Sequence, residues 1–203
     1  MADRPVKTLA DLRSFYTNEY RPLYDRFIIA GVVAQELHTE VACAADHLLF
    51  ISSTPGGDIS SADIERAAAH LKRATFDAFK LIFENDIGRR YNLLMDEKYA
   101  DVHDGKFRSE ITDLMEKAKG IATVARLHET MSRNGDIERW GAAFDEWKKI
   151  LPLADEFTRL MTLPEVTRAV GITSAERRLA IFSAIFGAVV GALLSLLLGK
   201  LVN

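Results

Sequence analysis

The chain has 203 residues, a formal net charge of −3 and one cysteine, Cys43. That length supports one folded domain and an appendage. The lone cysteine excludes an intramolecular disulfide framework and fits a reducing compartment. The acidic balance is a poor footprint for nucleic acid, whose affinity comes mainly from phosphate neutralisation, so nucleic acid is not an expected partner.

In chain order, residues 1–7 form a short polar lead. Thr8 is placed to cap a helix through about residue 19, with Leu9, Leu12, Phe15 and Tyr16 on one face. Pro22 suits the start of a next helix, where a missing N–H does no harm. That helix is expected to run over residues 22–52. Its apolar seam is Leu23, Phe27, Ala30, Ala34, Leu37, Val41, Ala44, Leu48 and Ile51, spaced alternately by four and three, as in a coiled coil. Residues 53–58, Ser-Thr-Pro-Gly-Gly-Asp, read as a turn.

Ser60 or Ser61 caps the next helix, with Asp63 and Glu65 in its first turn. Ile64, Ala68, Leu71, Thr75, Ala78 and Ile82 carry the same rhythm, which lapses near Asn85 and Gly88. A bend and a further helical piece over residues 89–103 are expected there. The following helix spans residues 107–133, with Phe107, Ile111, Leu114, Ala118, Ile121, Ala125 and His128 on its seam. Asn134-Gly135 stops it. The next runs from residue 136 past 150 on Ile137, Trp140, Phe144, Trp147 and Leu151, with Pro152 kinking or breaking it. Residues 163–172 form a connector with one short helix. No stretch alternates at period two, so no sheet is expected. The fold class is all-α: an antiparallel bundle of four to five long helices over residues 1–172, and a C-terminal transmembrane helix within 173–203.

That last helix rests on residues 179–199, a run without a charge. As a helix it spans about 30 Å, the thickness of a bilayer's hydrocarbon core. Ser183, Gly187, Gly191, Ser195 and Gly199 recur every fourth residue, and Ala184, Ala188 and Ala192 run beside them. In lipid, such small residues let helix backbones approach closely, so they are the candidate oligomerisation face. Arg177 and Arg178 flank the helix on one side and Lys200 on the other. The basic pair favours a cytoplasmic location for what precedes it. The expectation is a single-pass, tail-anchored protein with a cytosolic bundle, in the inner or plasma membrane if the cell is prokaryotic. Its expected partners are the bilayer, further copies of itself and a cytosolic protein.

Chemistry-bearing patterns give little. The five histidines are preceded at i−3 by Gln35, Ala44, Ala67, Ala100 and Ala125, never by the glutamate of a two-metal bundle site. There is no phosphate-binding glycine loop and no nucleophile elbow. Cys43 reads as a small buried residue and His128 as a hydrogen-bonded core histidine. No catalytic residue, metal site or cofactor is assigned.

The segment Ile64-Glu65-Arg66-Ala67-Ala68-Ala69-His70-Leu71-Lys72-Arg73-Ala74-Thr75-Phe76-Asp77-Ala78-Phe79-Lys80 resembles a helix of small prokaryotic helical-bundle proteins, some of them HEPN-like. Such a bundle joined to a membrane helix is similar to membrane accessory proteins of CRISPR and other anti-phage systems. Active HEPN members cut RNA with an arginine followed, after four to six residues, by a histidine. Here Arg66 and His70 have three residues between them, one helical turn apart, so the resemblance implies a bundle without that nuclease activity. Arg66, His70 and Arg73 are the candidate polar site. Three functions follow as expectations: a membrane effector that self-associates and permeabilises or remodels the bilayer in phage defence, an anchored scaffold or adaptor, and a divergent HEPN-type RNase. Ser183 and Ser195 line only a sparsely polar lumen, so a narrow or gated pore is expected over a wide one.

Overall fold

The computed structural model describes residues 6–30, 34–52, 59–96, 99, 105–133 and 138–169. Every regular element among them is helical. The chain divides into a unit Met1–Met161 and a second, Thr162–Asn203. In the second, α9 (Pro164–Ala169) begins on Pro164, whose missing N–H costs nothing at a helix start.

The first unit is assembled on α4 (Ser61–Ile82), half of whose residues are buried. Ser60 caps it: its hydroxyl accepts from the Asp63 N–H at 3.3 Å, and its carbonyl takes the Ile64 N–H. Every seam position holds: Ile64, Ala68, Leu71, Thr75, Ala78 and Ile82 are all buried. Thr75 is tolerated there because its hydroxyl donates to the Leu71 carbonyl at 2.8 Å. Leu37, Ala34 and Ala44 of the preceding seam are buried too, and α3 (Gln35–Ser52) lies along α4. α7 (Glu138–Lys148) and α8 (Ile150–Met161) also pack on α4, and α6 (Phe107–Arg133) packs on both of them. Phe79 of α4 meets Phe144 edge-on at 5.6 Å and lies parallel to Trp147 at 6.4 Å. Trp140 extends the cluster onto Phe76 at 5.4 Å and Phe15 at 5.8 Å.

Several boundaries differ from expectation. The chain does not restart at Pro22. It runs from α1 (Leu9–Phe15) through a π-helical turn, Tyr16–Tyr20, straight into α2 (Arg21–Ile29). The wide turn pairs the Arg21 N–H with the carbonyl five residues back, and so carries the proline ring past the preceding turn. Leu9 and Tyr16 face solvent, while Val6 and Tyr20 are buried in their stead. The helix expected over 22–52 is two: α2 ends at Ile29, Ala30 is exposed, and α3 begins at Gln35. The lapse near Asn85 and Gly88 is not a bend but a second π-helical stretch, Phe83–Gly88, through which α4 continues into α5 (Arg89–Leu94). Hydrogen bonds that reach one residue further along the chain break a 4-3 rhythm without breaking the helix. Nor does α5 reach residue 103.

Pro152 is not the break between α7 and α8. Lys149 is, with its N–H on the Glu146 carbonyl at 3.1 Å. Pro152 then falls in the first turn of α8, where no clash with the Lys148 carbonyl arises. Arg26 clips α2 to Asp155 of α8 at 2.8 Å and approaches Asp86 at 3.8 Å, and Asp86 also meets Arg90 at 3.3 Å. Among the described residues no helix is long and apolar enough to cross a membrane. The span expected at 179–199 lies outside them.

Candidate functional site

The polar edge of α4 carries Arg66, His70, Arg73, Asp77 and Lys80, again at 4-3 spacing, so they form one line along the helix. Where neighbouring helices supply carboxylates, that line becomes a site. Glu40 of α3 receives both His70 (Nδ1 to Oε2, 2.7 Å) and Arg73 (Nε to Oε2, 3.1 Å). Arg73 Nη2 also lies 2.7 Å from His70 Nδ1. One ring nitrogen cannot donate to the carboxylate and accept from the guanidinium at once. Arg73 reaches Glu40 through Nε in either tautomer, and the tautomer of His70 decides whether Nδ1 donates to Glu40 or accepts from Arg73 Nη2. Burial alone pushes the Glu40 carboxyl up; the hydrogen bonds and charges of His70 and Arg73 outweigh it and hold the group below its ordinary 4.5. His47, one heptad after Glu40 on α3, lays its ring 5.2 Å from that of His70.

Further along the edge, Lys80 Nζ bridges Asp77 at 3.1 Å and Glu129 of α6 at 2.9 Å. Glu129 is buried, as a carboxylate in such a place must be paired to be. Between the two clusters opens a cleft of about 550 Å³, lined by Ala69, Lys72, Arg73, Phe76, Asp77, Glu129 and Trp140. Lys72 holds its ammonium 4.5 Å from the centre of the Trp140 ring. Burial pushes that ammonium below its ordinary 10.5. The cleft thus offers two cations, two carboxylates and two aromatic side chains. With charged and aromatic side chains side by side, it has the chemistry to hold an amphipathic group.

The structure brings His70 and Arg73 together but not Arg66, which is exposed and pairs with Asp63 at 3.7 Å in its own helix. Cys43 is half-buried rather than buried. His128 is half-buried as well, and its Nδ1 is a buried atom with no hydrogen-bond partner, contrary to the hydrogen-bonded core histidine expected. Sequence spacing marks Trp140 only as a seam residue and does not mark Glu40, His47, Lys72 or Glu129. The available signal was Glu40 and His47, seven residues apart beside the Leu37/Val41/Ala44/Leu48 seam. Among the described residues no three His, Cys, Asp or Glu side chains gather as metal ligands. Ser183, Gly187, Gly191, Ser195, Gly199, Arg177, Arg178 and Lys200 lie outside the described residues. The chain matches no protein-family model, no curated protein and no solved structure.

Proposed function

We propose that this chain is a membrane-anchored effector. A helical bundle on the cytosolic side receives a protein partner, and a transmembrane helix at 179–199 self-associates to permeabilise or remodel the bilayer, as a phage-defence effector does. The observation that carries this reading is the charge-free run of 179–199 with Ser183, Gly187, Gly191, Ser195 and Gly199 in strict four-residue register. The bundle supports it in one respect. It presents a cleft lined by Lys72, Arg73, Phe76, Asp77, Glu129 and Trp140, a place for a protein partner's side chains. Permeabilisation and toxicity in cells test it, with Gly187→Leu/Gly191→Leu as the variant. Loss of both effects at equal expression is expected; unchanged toxicity refutes the reading.

The cleft of Lys72, Arg73, Phe76 and Trp140 favours a second reading, an anchored scaffold whose bundle recruits a soluble protein. Replacing 179–199 by an unrelated membrane helix separates the two. A scaffold survives the exchange and a membrane-active assembly does not.

A further inference from the structure

The cleft against α4 holds one charge that the fold leaves unmatched. Its two carboxylates, Asp77 and Glu129, share Lys80 at 3.1 and 2.9 Å. Arg73 turns its Nε to Glu40 at 3.1 Å. Lys72 stands between them with no carboxylate partner among the described residues; what its ammonium meets is the ring of Trp140, 4.5 Å from the ring centre. A ring face attracts a cation, but less strongly than a carboxylate does. Burial acts on that ammonium and disfavours its charge. Trp140 is itself nine-tenths buried, and its Nε1 is a donor with no hydrogen-bond partner.

We propose that this cleft seats an acidic segment of a partner protein: one aspartate or glutamate carboxylate pairs with the Lys72 ammonium, and the apolar side chain next to it lies against Phe76 and Trp140. Charge, desolvation and length choose that occupant. The ammonium gives up part of its water when the bundle folds, so an arriving carboxylate gains the pair against its own desolvation alone. The single unmatched charge suits a single negative one. Asp77 and Glu129 remain beside it, and a phosphate dianion meets more of their repulsion than a carboxylate does. The lining on α4 runs from Ala69 to Asp77, a rise of about 12 Å, which is the length of about four residues of extended peptide. Ala69, exposed and short, leaves that end of the row open to a passing chain.

To this extent the seat rests on the reading of the bundle as receiver of a protein partner. It asks nothing of the membrane helix, so the two can fail separately.

Peptide binding to the full-length chain in detergent tests it, read by the polarisation of an uncharged fluorophore on each probe. The probes are pentapeptides with a central glutamate, a leucine, phenylalanine or tryptophan on either side of it, and glycine elsewhere. Parallel sets carry glutamine or phosphoserine in place of the glutamate. A glutamate probe is expected to bind, and its glutamine and phosphoserine counterparts bind at least about tenfold more weakly. Lys72→Met loses the same factor, Lys72→Arg keeps most of the affinity, and Lys119→Met, at an exposed ammonium paired with Glu116, changes nothing. The glutamate-to-glutamine comparison is made on the unaltered chain, so it stands whether or not Lys72→Met folds. Failure of every glutamate probe, equal binding of the glutamine set, tighter binding of the phosphoserine set, or a folded Lys72→Met chain that binds as the unaltered one does overturns the proposal. So does free phenylpropionate displacing the best probe at equal affinity, which assigns the cleft to a small carboxylate. The Gly187→Leu/Gly191→Leu chain separates the seat from the effector reading. Glutamate probes that bind both chains, with toxicity unchanged in the variant, uphold the seat and remove the effector. Toxicity lost in the variant while no probe binds removes the seat and leaves the effector standing.

Discussion

The aromatic layer between α4 and α7 sets the stability of the bundle, and Phe79→Ala measures it. Phe79 is fully buried, edge-on to Phe144 and parallel to Trp147. Removing the ring loses its burial, about 2–3 kcal/mol. It also loses two aromatic contacts and leaves a ring-sized cavity in a close-packed layer. The sum is about 4 kcal/mol, a large share of a typical domain's stability of about 5–15 kcal/mol. With a urea dependence near 2 kcal/mol per molar, the unfolding midpoint falls by about 2 M. The chain's two tryptophans, Trp140 and Trp147, both sit in this layer, so their fluorescence reports its loss directly. Leu127→Ala, on the exposed face of α6, is the control and shifts the midpoint by less than about 0.3 M. Equal shifts in the two variants refute the assignment of the core.

The other expectations are local. Glu40 is held below its ordinary 4.5 in the folded chain, so its contribution is complete above that value and is lost as pH falls through the lower folded one; Glu40→Gln flattens the acid limb of a stability–pH profile, read by urea midpoints between about pH 6 and 3. Lys72 releases its proton below 10.5, so a base titration of tryptophan fluorescence shows a transition under that value that Lys72→Met abolishes. Thr8 and Asp11 form a reciprocal capping box, with the Asp11 N–H on the Thr8 hydroxyl at 3.1 Å and the Thr8 N–H on the Asp11 carboxylate at 3.0 Å; Thr8→Ala costs about 1 kcal/mol in thermal unfolding.

Much of the fold is legible because helical burial is periodic. The α4 seam, the bounds of α6 and the Ser60 cap follow from spacing and turn residues. The errors fall where a local rule has two outcomes. A proline after a helix reads as a new start, yet a π-helical turn lets the chain pass through Pro22. A lapse in rhythm reads as a bend, yet Phe83–Gly88 absorbs it by widening. The site is half legible. His70 and Arg73 stand out on one helix, but their carboxylate, Glu40, comes from α3, and Lys80 finds its own, Glu129, on α6. Alone on their helices, Glu40 and Glu129 look like members of ordinary solvated faces. Only the packing of α3 and α6 against α4 shows otherwise, and no spacing within one helix encodes it. Arg66 shows the converse: it shares the edge of α4, but among the described residues the carboxylate it meets is Asp63, on its own helix.

The central claim is that function resides in assembled membrane helices, and the mass of the detergent-solubilised full-length protein tests it most directly. The account predicts a defined oligomer that collapses toward monomer in the Gly187→Leu/Gly191→Leu variant. A monomer in both, or the same oligomer in both, contradicts it.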